Sequence, residues 1–366
     1  MQVSRISTTE ELRQLTNTWN NMTQGVPFRT WQWLHSWWDH YGEDSDLYVL
    51  HVRDSSNQTV GIAPLFLERT ATRGCVLQFL GSGDVCSDYI SLLATDGQES
   101  SVAKAVADWL ASDDGWDLLE LTGVDASDRP VNQLAERLDS HGCQVHRRAG
   151  MNCWRIELDC SWDEYLTRMS KTHRKQVRRA QRRAFESNRA VLKTVNSESE
   201  FDPGMEILID LHTQRWQSLN EPGCFACPRF SGFLRQAARQ LFDAKMLGLH
   251  WLELEGRPIA ADFQLLGSDT TYAYQAGIDP DALDEEPGRV VNIATIKRAI
   301  EDGYTGFDFL RGDEPYKAHW RASPQKMVEL RIAANRATSK LRHGIWAAGN
   351  TLKGWMKGFQ STANLT

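Results

Sequence analysis

The chain of 366 residues is 41% hydrophobic and carries 41 Lys and Arg against 48 Asp and Glu, for a formal net charge of -7. That content supports a large buried core and excludes a disordered chain, while the negative balance excludes a protein that coats nucleic acid over its whole surface. No apolar run approaches the roughly 18 residues of a membrane span, the first stretch lacks the apolar segment of a secretory leader, and the seven scattered cysteines read as reduced thiols, so a cytoplasmic location is expected.

In chain order, "WQWLHSWWDHY" (31–41) predicts an aromatic-rich helix, followed by strands near 47–53, 60–67, 75–80 and 88–94. A helix at about 100–111 and the strand "DLLELTGV" follow. The second half repeats the order, with helices at 205–219 and 229–243, strands "LGLHWLELEG", "IAADFQLLG" and "TTYAYQAG", a helix at 289–302, and a strand that opens "FDFLRGDEPYKAHW" (307–320). Such alternation predicts an α/β fold of mixed sheets flanked by helices, in two units spanning 1–160 and 161–335, with a basic aromatic tail over 336–366.

Between the units, Lys171, Arg174, Lys175, Arg178, Arg179, Arg182 and Arg183 occur with no acid among them. At about 100° per residue they cover half of a helix, and Leu166, Met169, Val177, Ala180 and Ala184 fall opposite. Like charges one turn apart repel, so a helix selected only for stability would mix signs. The readings are a solvated face, or an anion-binding face for the phosphates of a cofactor, a nucleotide-linked substrate, RNA or lipid headgroups.

The tail sets Lys and Arg beside Trp346, Trp355 and Phe359, as an interfacial membrane helix does, although packing on the protein's own surface explains the same pattern. Cys224 and Cys227 form the one CxxC pair; a tetrahedral zinc site needs further ligands that the nearby sequence does not offer, so no metal is expected.

Two stretches carry candidate chemistry. In "EEPGRVV", Pro287 suits a first helical turn, Gly288 lets a phosphate approach the backbone, and Arg289 can add a charge-assisted bond, against the opposing acids Asp284, Glu285 and Glu286. In 307–320, Phe307 and Phe309 share one strand face, and the strand runs into Arg311, Asp313, Glu314 and Lys317 around Gly312 and Pro315.

Acyl transfer needs a base, a stabiliser for the oxyanion, and placement of both reactants. The candidates are Asp313 as base or nucleophile-orienting carboxylate, Lys317 for oxyanion or phosphate stabilisation, and Tyr316 as proton donor to a leaving thiolate; the alternative is a surface ion-pair network. His173, His212 and His319 read as isolated, and no Ser/His/Asp or Cys/His spacing is recognisable, so direct transfer is expected.

"RTWQWLHSWW", "SKTHRKQVRRAQRR", "LHTQRWQS", "EEPGRVVNIATIKRAIEDG" and "FDFLRGDEPYKAHW" together resemble the GNAT-fold acyltransferases related to CelD of cellulose biosynthesis, themselves similar to the Fem-type aminoacyltransferases of peptidoglycan. The resemblance implies tandem GNAT-like domains, with acetyl-CoA or another acyl-CoA in the C-terminal one at Pro287, Gly288 and Arg289, to which the basic helix would add Lys171, Arg174 and Arg178. It implies an N- or O-acyltransferase acting on a sugar, sugar nucleotide or amino compound of polysaccharide or envelope synthesis. The alternatives are Fem-like transfer from aminoacyl-tRNA, with the basic helix on the acceptor stem, and a non-catalytic accessory protein of a polysaccharide-synthesis complex, tethered by its tail to the inner face of the membrane.

Overall fold

The computed structural model describes residues 1–344. Its first half forms strands β1 (Gln2–Ile6), β2 (Asp46–Leu47), β3 (Val49–Arg53), β4 (Thr59–Ala63), β5 (Leu65–Thr70), β6 (Gly74–Phe79), β7 (Leu93–Ala94), β8 (Leu118–Asp125) and β9 (Gln144–Ala149). The second half adds β10 (Cys153–Glu157), β11 (Ala190–Thr194), β12 (Leu247–Leu254), β13 (Arg257–Leu266), β14 (Thr270–Ile278), β15 (Gly306–Arg311), β16 (Ser323–Gln325) and β17 (Met327–Ala333).

Three sheets result, ordered β1-β3-β4-β7, β2-β5-β6-β8-β17-β9 and β11-β12-β13-β14-β15-β10-β16. Antiparallel and parallel pairs mix, and helices flank the sheets, as the alternation of elements predicted. The predicted boundary does not follow the sheets, however. β10, expected in the first unit, lies between β15 and β16 of the second; β17, expected in the second, lies between β8 and β9 of the first. Strand pairing is decided by long-range packing, which a local pattern does not report.

Two expected strands also change. The run at 60–67 divides at Pro64, which has no N–H for a ladder, and its halves β4 and β5 enter different sheets. The run at 88–94 is a loop in which only Leu93–Ala94 pairs; Gly81, Gly83, Cys86 and Tyr89 take positive φ, and the loop's polar groups reach across to β15 instead.

The two halves share a core. Thr30 caps the aromatic helix (Trp31–Tyr41) by accepting the Trp33 N–H, and that helix carries Trp33 edge-on to Phe233 at 4.9 Å and to Tyr274 at 5.0 Å. Phe28 meets Tyr272 at 5.9 Å in the same seam. The basic helix (Lys171–Gln181), capped by Ser170, buries Val177 and Ala180 beneath its cationic face.

Candidate active site

β14 and β15 run parallel for only three paired positions, Thr270–Gly306, Thr271–Phe307 and Tyr272–Asp308. Beyond them β14 stays paired with β13 as far as Ile278, while β15 turns away through Leu310 at φ 57° and Gly312 at φ 114°. The parting leaves facing ladder groups of both strands without their sheet neighbour, and a cavity of about 380 Å³ lies against the end of β14 at Ala276 and Ile278.

One wall of that cavity is the start of the helix Pro287–Glu301. Its N-cap Glu286 stands at φ 56° and makes no side-chain cap, Gly288 has open space where a Cβ would project, and Gly288, Arg289 and Asn292 line the cavity. The first-turn amides and the positive end of the helix dipole therefore face a space able to take an anion.

Two of the three acids expected to oppose a phosphate are neutralised. Glu286 pairs with Arg289, with Arg183 at 3.5 Å and with Arg179 at 3.6 Å; Glu285 pairs with Arg189 at 3.0 Å and Arg183 at 3.4 Å. Part of the positive charge of the basic segment thus balances the turn before the cavity.

Opposite, the short helix Pro315–His319 contributes Tyr316 and His319, and the basic helix contributes His173, Gln176 and Val177. The His173 and His319 rings pack 4.2 Å apart, and partial burial, then His319 and Arg289, pull the His173 imidazole down. Tyr316 is 45% exposed yet its ring lines the cavity, edge-on to Phe309 at 5.7 Å. Desolvation, with the charges of Glu314 and Asp262, pushes its phenol upward, so it stays protonated at neutral pH.

The cavity also exposes a carboxylate within the sheet. Asp262 of β13 is 3% exposed and accepts from Gln264 Nε2 at 2.6 Å. Burial outweighs that bond and pushes its carboxyl up to about 6.

Of the residues singled out from sequence, Gly288, Arg289 and Tyr316 come together here, and Pro287 opens the helix behind them. Lys317 does not face the cavity. Its Nζ donates to the carbonyl oxygens of Leu310 at 3.1 Å, Arg311 at 2.9 Å and Gly312 at 3.0 Å, and pairs with Glu314 at 2.9 Å, so the ammonium ties the turn after β15. Asp313 is exposed outside the lining, and its Oδ1 accepts from Trp154 Nε1 at 3.1 Å and Asn152 Nδ2 at 3.4 Å.

Lys171, Arg174 and Arg178 also lie outside the lining, because burial of Val177 and Ala180 rotates His173 and Gln176 to the cavity. His173 and His319, expected to be isolated, form a pair. Asp262 and Asn292 were missed; the one legible signal was an acid inside the apolar strand "IAADFQLL".

Among the described residues no group of three or more His, Cys, Asp or Glu is placed to hold a metal ion, and no helix is long and apolar enough to cross a membrane. Cys224 Sγ lies 3.4 Å from His212 Nε2. The start of the tail packs on the protein, with Ser339 at 2.7 Å and Arg342 at 3.1 Å from Asp117; residues 345–366, on which much of the membrane expectation falls, lie outside the described residues.

No protein of curated function matches the sequence. Among solved structures, FemX superposes with a TM-score of 0.66 at 12% identity, covering 93% of this chain and 99% of that one. A lysylphosphatidylglycerol synthetase-like domain (DUF2156) from Agrobacterium fabrum gives 0.56 at 10% identity, covering 93% and 96%. L-PGS from Bacillus licheniformis gives 0.51 at 11% identity, covering 87% and 95%. These likenesses establish a common fold, and none of them singles out the cellulose-biosynthesis branch of the resemblance. Residues 171–318, which supply all of the cavity lining but His319 and Trp320, match the family described as acetyltransferase (GNAT) domain.

Proposed function

We propose that the chain is a GNAT-type acyltransferase that passes an acyl group directly from an acyl-CoA, bound in the cavity along the end of β14, to a sugar, sugar nucleotide or amino acceptor. The observation that carries this reading is the parting of β14 and β15 beside an uncapped helix start. Strands that separate offer backbone donors and acceptors to an extended chain of amides, which is what a pantetheine arm presents. The phosphates would then meet the Gly288 amide and Arg289.

Within this reading Tyr316 is the proton donor to the leaving thiolate, and Asp262 is the carboxylate that sets the field around it. Asp313 gives up its proposed place to Asp262, and Lys317 keeps only the task of holding the loop that carries Tyr316. Calorimetric titration with coenzyme A tests the proposal: micromolar binding, weakened roughly tenfold in Arg289→Met by loss of one charge-assisted contact, is expected. Absence of heat in the wild-type protein would remove it.

One observation favours a second donor. The buried Asp262 carboxylate is a partner for the α-ammonium of an aminoacyl group, which an acetyl group lacks. An aminoacyl-tRNA donor would place its phosphates along Lys171, Arg174 and Arg178, and its binding would fall steeply with salt.

A further inference from the structure

A second cavity, of about 290 Å³, lies where the first unit packs against β14 and β15. Phe307 and Phe309 take one face of β15, and Asp308, between them, takes the other and lines this cavity with Tyr272 and Arg155. The first unit closes it with Arg29, Tyr89 and Asp128.

The polar walls are fixed. Arg29, 6% exposed, donates Nε to the Tyr89 carbonyl at 2.6 Å, Nη1 to Gln24 at 2.9 Å and Nη2 to Asp128 at 3.3 Å. Asp308, 1% exposed, accepts from the Tyr89 hydroxyl at 2.5 Å and from the Leu310 N–H at 2.6 Å. Desolvation pushes its carboxyl up to about 6.

Once Arg29 and Asp128 cancel, the lining keeps Asp125, Asp269 and Asp308 against the single guanidinium of Arg155. An interdomain space with that imbalance is completed by a cation that can also hydrogen-bond to the surrounding phenols and amides. Its position is equally informative. Asp308 is the last β15 residue paired with β14, and the next residue, Phe309, packs on Tyr316 of the donor cavity. A group held at Asp308 sits beside the point where the two strands separate.

Resting on the acyl-transfer reading, we propose that this interdomain cavity is the acceptor site, that it takes a hydroxylated primary amine such as an amino sugar, and that Asp308 pairs with its ammonium. The ammonium gives one proton to the Asp308 carboxylate, and the freed amine forms a C–N bond to the acyl carbon as the C–S bond breaks. The second proton lost from nitrogen ends on the departing thiolate, and Asp308 releases its own to solvent. The first unit then contributes half of the acceptor site, which accounts for the loop at 81–92 being committed to β15 instead of its own sheet.

The test titrates the full-length protein with glucosamine and with glucose, followed by saturation-transfer NMR, and repeats both on Asp308→Asn. Glucosamine is expected to bind roughly tenfold tighter than glucose, the scale of one charged contact, and the preference should fall to about threefold or less in the variant. Should Asp308→Asn fail to fold, the rim pair Asp125→Asn with Asp269→Asn must lower the same preference. Equal binding of the two sugars, no binding of glucosamine, or an undiminished preference in the variants overturns the proposal. Coenzyme A titrated into the same samples separates the failures: binding of coenzyme A without amine selectivity removes this inference alone, and no binding of coenzyme A removes the acyl-transfer reading together with the acceptor role.

Discussion

Replacing Lys317 by Met separates a structural from a chemical role for the charged turn after β15. The ammonium, on a side chain 3% exposed, serves three backbone carbonyls and Glu314, and one of those carbonyls belongs to Leu310, a bulky residue held at φ 57°. A left-handed conformation at such a residue costs about 1–2 kcal/mol, and the Lys317 bonds help to hold it. Methionine would fill the volume while leaving buried acceptors without donors, at about 1–3 kcal/mol each before relaxation. With partial hydration of the turn, the net loss should be about 3–5 kcal/mol, the range for removing one partner of a buried charged group. Glu314, 55% exposed, adds little to this. Urea unfolding followed by tryptophan fluorescence reads the loss. A wild-type midpoint in Lys317→Met, combined with a roughly hundredfold fall in acyl transfer, would refute the reasoning and return the ammonium to the reacting atoms.

Gly288→Ala adds a methyl where nothing stands within 4 Å, so unfolding should shift by less than about 1 kcal/mol while coenzyme A binding weakens several-fold by calorimetry. Tyr316→Phe should lower turnover by about 10²-fold with an unchanged unfolding midpoint; turnover near wild type would remove the phenol from the reaction. The carboxyl of Asp308 is raised from an ordinary 3.8 to about 6, so the folded protein holds a proton that the unfolded chain has lost, and stability falls as pH rises between those values. Asp308→Asn removes that slope, and its stability relative to wild type should improve across this window by up to about 3 kcal/mol. His212 and His250, pulled down to about 4 by burial, act in the opposite sense in both proteins and cancel in the difference. A difference independent of pH in paired urea titrations would contradict the burial of Asp308.

Features written in local pattern were legible. The aromatic helix begins at Trp31 after its Thr30 cap, and the Pro-Gly pair at 287–288 starts a helix facing a cavity. Charge on the basic helix was legible, but its orientation was not: the residues turned inward are His173 and Gln176, because rotation is set by the apolar positions packed beneath. Lys317 misled because its partners are carbonyl groups, which leave no trace in sequence. Asp308 stood in view between two phenylalanines, yet its significance comes from Tyr89, 219 positions away. Long-range partners of this kind, like the neighbours of β10 and β17, are chosen by tertiary packing that side-chain periodicity does not encode.

The place of β17 has a consequence during synthesis. β8 and β9 both require β17 between them, so a nascent chain that has left the ribosome only as far as the preceding strands holds two open ladders with nothing to fill them. The N-terminal half therefore waits, incomplete, until β17 has been translated, and a product released before residue 327 should be captured by chaperones or precipitate.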